Sequence, residues 1–194
     1  MDTDVKGNDI EPRYFKDREE WRRWLLENHD EASEIWFVFP LTSSGRTGIS
    51  YNDAVEEALC FGWIDSTVRS WDKDHKIQRF TPRRPKSGYS QSNKERLRWL
   101  AAEGLIHPSC EAAVSKVLSE RFVCPDDIID ALREDEDVWK NFQNASDAYK
   151  RIRIAYIDSA RESPEEFAKR LNNLIRRTRA GKTVPGYGGI EKYY

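Results

Sequence analysis

Ile35-Trp-Phe-Val-Phe39 is an uninterrupted run of large apolar residues closed by Pro40. A short aromatic and β-branched run of this kind reads as a strand buried on both faces. Pro40 has no N–H to give a ladder, so it ends the strand. The neighbouring segments follow from this one. Arg13-Tyr-Phe15 reads as a short strand. Asp17 with Glu20 three residues on has the pattern of a capping box, and Trp21, Trp24 and Leu25 recur at helical spacing, which predicts a helix over 18–28. Ser50 with Asp53 opens another helix, whose buried face is Val55, Ala58 and Leu59 and whose stop is Gly62. Trp63–Arg69 and Lys76–Thr81 carry β-favouring residues around the charged turn Asp72–His75, which predicts a hairpin. Pro82 and Pro85 then hold the chain extended.

Beyond this point the pattern is helical. Ser92 and Glu95 form a capping box for a helix to about Glu103, with Gly104 as its C-cap. Pro108 opens a helix through Leu118. After Cys124-Pro125 come 126–133, a turn or short helix at Trp139 and Phe142, and a helix over 146–161 with Tyr149, Ile152, Tyr156 and Ala160 on one face. Ser163-Pro-Glu-Glu166 opens the last helix, with Phe167, Leu171, Leu174 and Ile175 inward. The order is β-α-β-α-β-β and then helices. That is an α+β fold, a small mainly antiparallel sheet with flanking helices and a helical C-terminal half. The expected division is an α+β core over 12–120, a helical region over 125–181 packed on it, and mobile tails at 1–11 and 184–194.

Composition limits the function classes. Hydrophobic residues are 38% and aromatics 12% of 194 residues, enough to build a core and to exclude wholesale disorder. The net charge of -2 argues against nucleic acid or an anionic membrane as a general partner. No apolar run approaches the roughly 20 residues of a membrane span, and Met-Asp-Thr-Asp-Val-Lys has no apolar signal region. Cys60, Cys110 and Cys124 are an odd set without a Cys-x-x-Cys pair, so no structural metal or cofactor is expected, and they read as reduced thiols of a cytoplasmic protein. Charge is uneven locally. Arg79–Arg98 is basic with Glu95 alone against it, and Asp126–Asp137 is acidic with Arg133 alone against it.

The basic stretch carries the main candidate site. Asp65 joins Arg79, Thr81, Arg83, Arg84, Ser87, Ser90 and Asn93. Pro82 and Pro85 stiffen the arginine segment and lower the entropic cost of holding the guanidinium groups. Fixed arginines suit bidentate capture of carboxylate or phosphate, and the segment runs into a helix start whose free N–H groups favour an anion. The alternative is structural. The arginines pair with Asp65, Glu56 or Glu57 and lock the hairpin to the helix, while Ser90 and Ser92 only cap. Cys60 has two readings as well, a buried apolar thiol or a nucleophile served by His75. The basic residues Lys169, Arg170, Arg176, Arg177, Arg179 and Lys182 either bind nucleic acid or form a solvated helix face.

Ala54-Val-Glu-Glu-Ala-Leu-Cys-Phe-Gly-Trp-Ile-Asp65, Arg79-Phe-Thr-Pro-Arg-Arg-Pro-Lys-Ser87, Ser90, Asn93 and Gly104-Leu-Ile-His-Pro108 together resemble the YdeI/OmpD-associated family of bacteria, also described as bacteriocin-protection proteins. The resemblance runs from about Phe15 to Gly181. Pro40-Leu41 stands where members usually carry lysines, and Tyr89 where tryptophan is usual. The resemblance implies a bacterial cytosolic or envelope-associated accessory protein of stress tolerance, with no established reaction. Residues and resemblance together lead to three readings. The first is a soluble accessory protein that takes a small anionic ligand or an acidic or envelope-stress partner at the Asp65/arginine site. The second is an enzyme using that pocket with Asp65 as acid or base. The third is a weak nucleic-acid binder.

Overall fold

A computed structural model describes residues 10–45, 48–84, 87–186 and 189–194. Most of the expected N-terminal tail, and Pro85 and Lys86 of the arginine segment, lie outside the described residues. The sheet has the order β1-β2-β4-β3, with β1 Arg13–Tyr14, β2 Ile35–Pro40, β3 Trp63–Ser70 and β4 His75–Pro82. β1 runs parallel to β2, and the other pairs are antiparallel. Helices α1 Arg18–Asn28 and α2 Tyr51–Cys60 alternate with the strands. The chain continues through α3 Gln91–Ala102, α4 Pro108–Ser119, α5 Asp126–Arg133, α6 Glu136–Gln143, α7 Asp147–Asp158 and α8 Pro164–Arg179. The α+β class and the helical second half are as the sequence implies. Among the described residues no helix is long and apolar enough to cross a membrane.

The chain forms two compact units. Of the described residues, one unit holds those up to Gly88 together with Leu100–Ala113, and the other holds Tyr89–Trp99 with those from Val114 to Tyr194. This differs from the expected division at 12–120 and 125–181. Residues 89–99 group with the helical unit because Glu95 holds Arg151 there and Trp99 packs against Tyr193.

In the first unit β2 is buried as its composition demands, with Phe37 wholly inaccessible. Phe15, Trp21, Phe37 and Phe80 interlock with ring centroids 4.9–5.8 Å apart, and Trp24 meets Trp63 at 5.6 Å. Each such pair adds about 0.5–1.5 kcal/mol beyond its buried area. The indole N–H groups are satisfied, Trp21 by Ala54 O at 3.0 Å and Trp63 by His29 O at 2.9 Å. Asp17 caps α1 and Ser50 caps α2. Gly62 turns the chain out of α2 at φ 70°, and a Cβ there would sit 3.3 Å from the Cys110 sulfur.

Several local expectations are corrected. Ser90, not Ser92, caps α3, accepting from Asn93 N at 3.3 Å. Ser163 makes no side-chain cap, and Pro164 at the first turn serves α8 instead. Tyr156 is exposed, because α7 turns Arg153, Ile154 and Ile157 inward beside Tyr149 and Ile152. Residues 190–193 form a 3-10 helix in which Ile190 and Tyr193 are buried. Ile128, Leu132, Val138, Phe142 and Leu174 complete the core of the second unit.

Candidate functional site

Asp65 sits on β3 opposite Phe80 of β4, half-buried. Its Oδ2 accepts from the Tyr51 hydroxyl at 2.9 Å and from the Gln78 amide at 2.7 Å. Arg79 lies between Gln78 and Phe80, so strand alternation sends it to the other face of the sheet. There it pairs with Glu34 through Nε at 2.9 Å and through Nη2. Thr81 is half-buried and opposite Ile64. Asp65 is therefore bound by a phenol and an amide, not by arginines.

Arg83 braces its own loop. Its backbone N–H donates to Gly62 O at 2.8 Å, and its Nη2 donates to Ser87 Oγ at 3.0 Å and Gly88 O at 2.6 Å. Arg84 is exposed; its carbonyl accepts from Ser87 N at 2.9 Å, and its guanidinium makes no hydrogen bond or ion pair among the described residues. Ser90 and Asn93 belong to the second unit, where Ser90 caps α3 and Asn93 accepts from Arg96 at 3.0 Å.

Glu56 and Glu57, expected as alternative partners of these arginines, are held elsewhere. Both are buried on α2 and face Arg18 and Arg22 of α1. Arg18 donates to Glu56 at 2.7 Å, to Asp53 at 3.2 Å and to Glu57. Arg22 donates to Glu57 at 2.6 Å and to Leu105 O at 3.0 Å. Burial opposes the charge on Arg18, but its bonds to Glu56 and Glu57 outweigh that and hold its pKa above the ordinary value. A signal existed in the sequence. Arg18 and Arg22 stand four apart on one helix, and Asp53, Glu56 and Glu57 share a face of the other.

Cys60 ends α2 and is fully buried. Burial, with Glu57 adding, pushes its thiol up to about 12. That is a packing thiol rather than a nucleophile. All three cysteines are unpaired. Among the described residues no group of three or more His, Cys, Asp or Glu could hold a metal ion.

The basic residues of α8 are engaged. Arg170 binds Glu166 at 2.9 Å, Arg179 binds Asp135 at 2.9 Å, and Arg176 and Arg177 reach Asn173 and Thr183 O. Asp127 of the acidic stretch takes both terminal nitrogens of Arg161 at 2.8 Å.

One feature of the first unit has no precursor in the sequence reading. A cleft of about 700 Å³ lies beside β2, lined by Tyr14, Val38, Pro40, Gly45, Trp71, Asp72 and His75. Tyr14 and Trp71 are 46% and 45% exposed, unusual for large aromatics. Both Asp72 oxygens lie 2.9 Å from His75 Nδ1. The Asp74 N–H, with His75 adding, holds the Asp72 carboxyl below its ordinary pKa. The turn Asp72–His75 was legible, but its approach to Tyr14 and Pro40 depends on strand order.

Two family models match the chain. Residues 13–113, just over half of it, match a domain of unknown function, DUF8412. Residues 121–181 match the family described as Bacteriocin-protection, YdeI or OmpD-Associated. The motifs at 54–65, 79–87 and 104–108 fall in the first match, so the two families divide what the resemblance treats as one. No curated protein and no solved structure matches.

Proposed function

The chain belongs to the DUF8412 family and carries a YdeI- or OmpD-associated match in its second half, and from that premise we propose that it is a small-ligand-binding accessory protein of bacterial stress tolerance. The observation that carries the proposal is the cleft at Tyr14, Pro40, Trp71 and His75. Its volume is that of ordinary ligand sites, which are mostly apolar with a few placed polar groups. Tyr14, Trp71 and Pro40 offer flat apolar surface, and the Asp72–His75 pair offers a fixed polar end. The ligand class is a small molecule with a planar apolar body and one polar group that meets the imidazole.

A second reading keeps the anion at the arginine loop, and Arg84 favours it. Arg83 holds the loop in shape, and the guanidinium of Arg84 beside it is exposed and unbound among the described residues. A single exposed guanidinium captures an anion weakly, so this reading ranks below the cleft. An enzyme on Asp65 is not part of the proposal, since its carboxylate is engaged by Tyr51 and Gln78. A cytoplasmic location is adopted as part of this proposal.

One titration separates the readings. The probe is 8-anilinonaphthalene-1-sulfonate, which has both a planar apolar body and a charged group. The parent protein is expected to bind it one to one. Trp71→Ala is expected to weaken binding by about tenfold, the loss of one aromatic contact. Equal binding by the parent and Trp71→Ala, with loss in Arg84→Ala, overturns the cleft in favour of the arginine loop.

A further inference from the structure

Arg153 of α7 is 7% exposed, yet no carboxylate pairs with it among the described residues. Buried arginines are normally paired, because an uncompensated charge away from water is costly. What surrounds Arg153 is aromatic. The Tyr149 and Tyr194 rings lie 5.6 and 5.3 Å from its guanidinium carbon and 4.9 Å from each other, nearly perpendicular. Its Nη2 donates to the Tyr194 hydroxyl, and its Nε is buried with no partner among the described residues. Glu191, the acid whose field reaches it, is engaged with the Gly186 N–H at 2.7 Å.

The same helix supplies the comparison. Arg151, two residues earlier, uses its Nε and Nη2 edge to grip both oxygens of Glu95, at 2.7 and 2.8 Å. Arg79 presents that edge to Glu34. This edge matches a carboxylate or a phosphate because two parallel N–H groups meet two oxygens. In Arg153 it meets one neutral hydroxyl and leaves the other N–H empty. We propose that Arg153 is the seat of a small oxyanion, a carboxylate or a phosphate, and that the Tyr194 side chain closes this seat by standing in for one of the anion's oxygens. Binding and closure are exclusive, because both use Nη2. Tyr194 must swing off Arg153 before an anion engages, and an anion in place holds the last residues of the chain away. Tyr149 stays on α7 as the wall of the seat, since its hydroxyl already accepts from Val184 N at 2.9 Å.

The test uses the full chain and two probes, inorganic phosphate and acetate, followed by calorimetric titration. Tyr194→Ala is expected to bind a single phosphate or acetate at least about tenfold more tightly than the parent, the advantage of a charge-assisted bond over a neutral one. Tyr194→Ala combined with Arg153→Met is expected to lose that gain, while Tyr194→Ala combined with Arg84→Ala keeps it, which separates this seat from the arginine loop. Gain with phosphate alone assigns a phosphate ligand, and gain with both probes assigns any small oxyanion. No gain in Tyr194→Ala, or a gain that survives Arg153→Met, overturns the proposal. Should Tyr194→Ala fail to fold, Tyr194→Phe keeps the ring and removes the hydroxyl. Phosphate should then raise its melting temperature more than that of the parent, and an equal rise refutes the seat.

Discussion

In the first unit two buried acids face two arginines, whereas in the second a buried arginine faces two tyrosines. Glu56 and Glu57 are almost inaccessible, but the donors of Arg18 and Arg22, with Asn52 on Glu56, meet their oxygens. Arg153 is buried as well, at 7% exposed, and the rings of Tyr149 and Tyr194 provide only quadrupole attraction and one hydroxyl. A buried charge with a complete set of partners belongs to the framework. A buried cation with an incomplete set is held by its surroundings and gains from an anion that reaches it.

The largest expected effect breaks the framework side of this comparison. Glu57→Ala leaves Arg18 and Arg22 without their shared carboxylate, and it should cost about 3–5 kcal/mol. The lower end is expected because both arginine side chains are 31% exposed. Urea denaturation checks this. A loss below about 1 kcal/mol means the network is a surface feature and the contrast fails.

Arg153→Met is the counterpart. It removes a buried cation, adds an apolar chain of similar reach and sacrifices two ring contacts. The net change should stay within about 1 kcal/mol, since apolar replacement of a buried ion is often neutral. Destabilisation as large as that of Glu57→Ala, in the same urea experiment, would make Arg153 a framework residue too.

The smallest effect is a pH slope in the first unit. His107 stacks on Phe61 at 5.0 Å and meets His29 edge-on at 4.7 Å. Burial, then the His29 and Arg22 charges, holds its pKa below the ordinary 6.5, and Asp30 opposes them weakly. The unfolded chain then takes up the proton first. Stability from the neutral ring is complete above pH 6.5 and is lost as pH falls through the lower folded value. Protonation makes His107 resemble Arg153, a cation without a full set of partners. The urea midpoint should fall between pH 7 and 5, and His107→Gln should flatten that fall. An unchanged slope in His107→Gln assigns the acid sensitivity to other groups.

Much of the framework was legible because its causes are local. Asp17 and Ser50 announce their helices, since a cap acts on N–H groups three residues away. Ile35–Phe39 declares a buried strand because it leaves no face for water. Even so, Ser92 and Ser163 look like caps and are not. Serines at 90 and 92 cannot both cap one helix, and where α3 begins depends on how its first turn is held. Of the candidate site, the residues were located but not their partners. Asp65, Arg79 and Arg83 all lie near the hairpin, yet alternation along the strands puts Asp65 and Arg79 on opposite faces, and Arg83, just past the end of β4, turns to its own loop.

The order of the main helices and strands and the buried aromatic strand follow from the sequence alone. Periodicity, capping and burial of large side chains act over a few residues. Which charge meets which, and that Cys60 is a packing thiol, is set by the folded chain. Arg18 finds Glu57 across 39 positions and Arg22 finds Leu105 across 83, and Tyr194 closes over Arg153 across 41. Hydrogen bonds and ion pairs hold within about 3 Å, and no pattern along the chain carries that distance.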